Sequence, residues 1–185
     1  MKTFTMFILL IAQFSFSQEK NGASIFWEKL KEHCNNAYEG TIEEAPDNDD
    51  FRNKKLIIHF LKCDENTIKI PFFVGEDKSR TWVLTYNNGV ITLKHDHRHK
   101  DGSEDKVTQY GGTASNSGLE NIQMFPADDF TCKLIPYASN NVWWFTLSDN
   151  TLTYNLRRIG TVRFFSVSFD LTKTVLNKEI PWGWE

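Results

Sequence analysis

Hydrophobic positions recur along this chain with two periods, and the change from one to the other divides it. Phe26, Leu30, Cys34 and the pair Ala37/Tyr38 recur at the spacing of one helical face. This spacing predicts a helix over residues 25–39, capped by Ser24 and stopped at Gly40. From residue 54 onward the pattern is that of strands. Strands are expected at 56–62 and 67–74 around Asp64-Glu65-Asn66, and at 80–86 and 90–99 around Asn87-Asn88-Gly89. Further strands are expected at 106–111, at 141–147 and 151–157 around Asp149-Asn150, and at 161–171. Residues 41–53 read as an acidic loop and residues 111–121, rich in Gly, Ser and Asn, as another.

Seven or eight successive strands joined by tight turns predict a mainly β protein built as an antiparallel meander. A meander removes its exposed edges by closing, so the first expectation is a lipocalin-like, calycin-type β-barrel. The N-terminal helix would cover one mouth. A jelly-roll or cupin-like sandwich is the second architecture.

The Asn88-Gly89 turn fixes a register. Asn-Gly is the strongest short hairpin signal, and it pairs Tyr86 with Ile91, Leu84 with Leu93, Trp82 with His95, and Arg80 with His97. Paired residues share a face and alternate residues along a strand share it too. One face therefore carries Arg80, Trp82, Leu84, Tyr86, Ile91, Leu93, His95, His97 and His99, and should meet the core. The other carries Thr81, Val83, Thr85, Thr92, Lys94, Asp96 and Arg98, and should meet water. At Asp149-Asn150 the same logic pairs Leu147 with Leu152, Phe145 with Tyr154, and Trp143 with Leu156. Trp144 then points outward and needs a cover, for which the helix is the candidate.

Composition adds a compartment. Lys2, then the apolar run through Phe16, then Ser15-Phe16-Ser17 have the order of a signal peptide, with cleavage expected after Ser17. The apolar run is too short to span a bilayer, which takes ~20 residues. Residues 18–185 are then one domain, secreted or periplasmic, with a Gram-negative source expected and no membrane anchor after cleavage. Fifteen Phe and six Trp supply a sizeable core. A net charge of −3 with no basic block argues against a nucleic-acid partner. Of three cysteines, an oxidising compartment permits one bridge. Either Cys34 pairs with Cys63 and leaves Cys132 over, or all three are buried thiols.

His95-Asp96-His97-Arg98-His99 is the sharpest chemical feature. Alternate histidines on a strand lie ~6.6 Å apart on one face and can converge on a metal ion. A divalent transition metal held by His95, His97 and His99 is thus one candidate. No histidine follows His99 to complete a cupin-type set, and only His59 stands on an earlier strand. Without a metal, Arg80, His95 and His97 make a cationic end to a pocket lined by Trp82, Tyr86, Trp143 and Tyr154, with Leu84, Ile91, Leu93 and Phe145 beside them. Alternatively Arg80 simply pairs with Asp77, Asp96 or Glu104. Neither Asp47 nor Asp101 begins an EF-hand loop, since Gly at position six and Glu at twelve are not both present. No G-x-S-x-G, Walker loop or G-x-G-x-x-G occurs.

Several runs are distinctive together: Ile70-Pro71-Phe72-Phe73-Val74-Gly75, Ser79-Arg80-Thr81-Trp82-Val83-Leu84, Leu93-Lys94-His95-Asp96-His97-Arg98-His99 with Asp101-Gly102, Tyr110-Gly111-Gly112, and the tail Pro181-Trp182-Gly183-Trp184-Glu185. With these the chain resembles a family of secreted bacterial proteins of unassigned activity, over nearly all of its mature length. The resemblance implies export and a single domain, and supplies no reaction or catalytic residue. The first functional expectation is an exported barrel that binds a small apolar or anionic ligand. The second is a metal-dependent enzyme centred on His95 and His97, and the third a structural or interaction domain.

Overall fold

The computed structural model describes residues 20–184. The expected signal peptide, 1–17, lies outside them. Helix α1 (Gly22–Lys31) precedes β1 (Ala37–Glu44), β2 (Leu56–His59), β3 (Lys62–Cys63), β4 (Thr67–Val74), β5 (Asp77–Asn87), β6 (Val90–His97) and β7 (Tyr110–Thr113). Then come β8 (Ile122–Pro126), helix α2 (Asp129–Leu134), a 3-10 turn (Pro136–Ala138), β9 (Asn141–Leu147), β10 (Thr151–Arg158) and β11 (Phe164–Val175).

The strands run in sequence around a circle. β1, β2, β4, β5, β6 and β7 pair in that order, and β1 also pairs with β11, which leads through β10 and β9 to β8. All these pairings are antiparallel, with β3 added beside β4. The free ends, β7 and β8, approach each other, so among the described residues ten strands form a nearly closed, lipocalin-like barrel. The seam is held by few groups. The Asp128 N–H donates to the Gly111 carbonyl at 3.0 Å. The Thr131 hydroxyl accepts from the Gly111 N–H at 2.7 Å and donates to its carbonyl at 2.8 Å. Gly112 has no side chain because a Cβ there would lie 1.7 Å from the Pro126 carbonyl oxygen.

Both sequence-derived registers are observed. Arg80 pairs with His97, Trp82 with His95, Leu84 with Leu93 and Tyr86 with Ile91. Leu147 pairs with Leu152, Phe145 with Tyr154 and Trp143 with Leu156. Trp144 does point outward, but it stacks on Phe164 at 5.9 Å rather than on the helix. The outer face of β5 and β6 is not left to water at its far end. Thr81 and Asp96 are buried there. Arg98 grips Asp96 at 3.1 and 3.2 Å and Glu104 at 3.0 Å. The C-terminal tail also docks in this region, with the Trp182 N–H donating to the Lys78 carbonyl.

The helix is shorter than its periodicity suggests. Asn21, not Ser24, caps it, accepting from the Ser24 N–H at 2.9 Å. After Lys31 the chain turns through Asn35 (φ +67°), whose N–H donates to the Phe60 carbonyl, while the Phe60 N–H donates to the Asn36 carbonyl. Ala37 and Tyr38 are buried as strand residues of β1, so they extended the helical stripe by coincidence. Gly40 lies within β1 and lets Phe169 pack close, where a Cβ would stand 2.6 Å from its ring. β1 runs to Glu44, inside the expected acidic loop. The run at 56–62 divides into β2 and β3; the strand expected at 106–111 begins only at Tyr110; and β11 begins at Phe164 and ends at Val175.

α1 closes one end of the barrel, burying Phe26, Trp27 and Leu30. Trp27 stacks on Tyr86 at 5.7 Å and donates to the Glu65 carbonyl at 3.2 Å. A Cys34–Cys63 disulfide, 29 residues apart in sequence, ties the turn after α1 to β3, and Cys132 is free. In the loop-entropy account such a bridge stabilises by roughly 3–4 kcal/mol. Replacing both cysteines with serine should lower the urea-unfolding free energy by about that amount. An unchanged midpoint would show that the bridge does not constrain the chain. Among the described residues no helix is long and apolar enough to cross a membrane.

Candidate functional site

The barrel interior is filled unevenly. Towards α1 it is solid: Leu84, Ile91, Leu93, Phe145, Leu147 and Leu152 are fully or almost fully buried against one another. Towards the other end a cavity of about 450 Å³ remains. Trp82 forms its floor, stacked between Phe72 at 4.9 Å and Tyr154 at 4.3 Å. Trp143, Tyr110, His95 and His97 continue the wall. The rim comes from the loop bearing Asp49 and Phe51, from Asp105 and Val107, from Ile135 and Tyr137 beside α2, and from Arg158 and Arg163.

Of the expected pocket residues, Arg80, Trp82, His95, His97, Trp143 and Tyr154 line this cavity. Tyr86 does not, because it lies at the opposite end under Trp27. Leu84, Ile91, Leu93 and Phe145 are packed core and likewise leave it. His99 is also misplaced by the strand pattern. β6 ends at His97, the backbone turns back at Gly102, and His99 is exposed with Nε2 3.9 Å from Asp105. The three histidines therefore do not share a site. Among the described residues no group of three or more His, Cys, Asp or Glu side chains is arranged to hold a metal ion.

His95 is fixed by both ring nitrogens. Nδ1 lies 3.1 Å from the Tyr110 carbonyl and Nε2 lies 2.7 Å from the Tyr154 hydroxyl. Its ring stacks flat on Tyr110 at 4.5 Å. Burial pushes its pKa down to about 3, so it is neutral at physiological pH. A carbonyl only accepts, so Nδ1 carries the proton and Nε2 is bare. The Tyr154 hydroxyl consequently donates to Nε2. His97 Nε2 meets the Tyr110 hydroxyl at 3.1 Å, and burial, then the nearby Arg80 charge, bring its pKa down to about 4. Burial raises the Tyr110 hydroxyl to about 12 and the Tyr154 hydroxyl well above its ordinary value. These are neutral, hydrogen-bonded walls.

The cations differ in their partners. Arg80 pairs with Asp77 and lies over the Phe51 ring at 5.0 Å. Arg163 lies 3.9 Å from Asp49. Arg158 donates from Nε to Asn141 Oδ1 at 2.9 Å and lies over Tyr137 at 5.0 Å. It forms no ion pair with any described residue. Phe72, Tyr110, Arg158 and Arg163 were absent from the expected pocket. Arg158 was within reach of the pattern, since the parity that turns Tyr154 inward along β10 also turns Leu156 and Arg158 inward. Comparison of the chain with protein-family models, with curated proteins and with solved structures finds no match.

Proposed function

We propose that this chain is an exported barrel protein that binds a small apolar or anionic molecule in the cavity at its open mouth. The observation that carries this reading is a void of about 450 Å³ left beside an otherwise filled core. Ligand sites span roughly 300–1,000 Å³ and combine apolar walls with a few placed polar groups. Here the walls are Trp82, Trp143, Tyr110 and Tyr154, and Arg158 and Arg163 bring positive charge to the rim. The signal-peptide order of residues 1–17 supports export, and the Cys34–Cys63 bridge suits an oxidising compartment. The resemblance to secreted bacterial proteins fits the same destination.

The probe 1-anilinonaphthalene-8-sulfonate joins an aromatic body to an anion and suits both features. Titrated into the mature protein at pH 7, it should bind saturably at one site, with energy transfer from the cavity tryptophans. A linear, unsaturable signal, or none, would contradict the reading.

A further inference from the structure

Arg158 and Tyr154 give the cavity a polarity. Both lie on the inward face of β10, four residues apart, with Leu156 between them, and all three line the cavity. At ~3.3 Å per residue their Cα atoms stand roughly 13 Å apart along the strand. At the mouth, Arg158 is steered by Asn141 and Tyr137, yet neither Nη group bonds to a described residue. Arg80 and Arg163, by contrast, face Asp77 and Asp49. An oriented, half-buried guanidinium without a carboxylate is a fork suited to a carboxylate from elsewhere.

The inner end offers the opposite chemistry. The Tyr154 hydroxyl has one proton, and that proton is committed to His95 Nε2, because His95 Nδ1 spends its own on the Tyr110 carbonyl. No carboxylate of a described residue bonds to His95 or Tyr154. What Tyr154 keeps for the cavity is an oxygen lone pair, so towards the cavity this hydroxyl accepts a hydrogen bond and donates none.

Resting on the ligand-binding reading above, we propose that the cavity selects aromatic carboxylic acids that carry a hydroxyl or other hydrogen-bond donor at the end remote from the acid. The carboxylate meets Arg158 at the mouth, the ring system lies along Trp143 and Leu156, and the donor reaches the Tyr154 oxygen. A two-ring acid has the length this arrangement asks for.

Three probes separate the parts: 6-hydroxy-2-naphthoate, 2-naphthoate without the donor, and 2-naphthol without the acid. Calorimetric titration of the mature protein should give 6-hydroxy-2-naphthoate at least tenfold tighter binding than either comparator. Arg158→Gln should erase its advantage over 2-naphthol and keep that over 2-naphthoate. Tyr154→Phe should erase the advantage over 2-naphthoate and keep that over 2-naphthol. If the unaltered protein binds all three within twofold of one another, the polarity is wrong although the cavity is a binding site. If it binds none of them, nor the sulfonate probe, both the polarity and the ligand-binding reading fall. The ranking in the unaltered protein decides the matter even where a variant folds poorly.

Discussion

Trp82→Ala is expected to destabilise the protein by about 3–5 kcal/mol, the cost of removing a large buried aromatic side chain from a core that cannot collapse around the loss. Trp82 is 2% exposed. Phe72 and Tyr154 stack on its ring, and Phe145 meets it edge-on at 5.3 Å. It joins β4, β5, β9 and β10 across the barrel and also floors the cavity, so its loss would merge a new void with an existing one. Trp144 is the control, lying outside the barrel with Phe164 as its stacking partner. Trp144→Ala should cost about 1 kcal/mol, the order of one surface aromatic contact. Urea unfolding of both variants measures the difference. Equal losses would mean that the inward and outward faces are assigned wrongly.

Acid should weaken the fold before the carboxylates titrate. His95 and His97 hold pKa values of about 3 and about 4 in the folded protein against 6.5 for a free ring. Burial also lowers His33 and His59. Above pH 6.5 these rings are neutral in both states and contribute no pH dependence. As pH falls below 6.5 the unfolded chain takes up protons that the folded rings refuse, so stability drops. The drop continues until pH reaches the folded values, where it levels off. Each pKa unit is worth ~1.4 kcal/mol, so His95 alone accounts for about 3 kcal/mol between pH 6.5 and 4. Unfolding free energies measured across that range should show the slope, and His95→Gln should flatten it. Parallel profiles for the two proteins would remove His95 as the cause.

The hairpins were legible because the turn residues and the alternation agree. Asn88-Gly89 supplies positive φ at both turn positions, and every pairing from Asn87–Val90 out to Arg80–His97 follows. β1 was hidden because its buried residues are bunched at one end, where Ala37 and Tyr38 continue the helical stripe, while Glu43 and Glu44 read as loop. β8 was hidden because its polarity is inverted, with Gln123 buried and Met124 exposed. The parity of the histidine strand held only as long as the strand did, which is why His95 turns inward and His99 does not.

The cavity was only half legible. Parity shows which side chains face the interior, but not which parts of that interior other side chains fill. Tyr86 and Trp82 share a face, yet Trp27 from α1 occupies the space beside Tyr86, whereas Trp82 borders the cavity. That outcome depends on where a helix from elsewhere in the chain docks, which no local pattern encodes. The KHDHRH run is likewise split by its own alternation. His95 and His97 serve the cavity wall, while Asp96 and Arg98 tie down the loop outside with Glu104 and Gln109.

Filling the void tests the central claim most directly. Leu156 lies partly exposed on the cavity wall between Tyr154 and Arg158. Leu156→Trp should occupy the space without disturbing the packed half of the barrel. If small molecules bind there, titration of this variant with 1-anilinonaphthalene-8-sulfonate should show saturable binding weakened at least tenfold, at an unaltered thermal midpoint. Undiminished binding in a folded Leu156→Trp protein would place the ligand elsewhere and contradict the account.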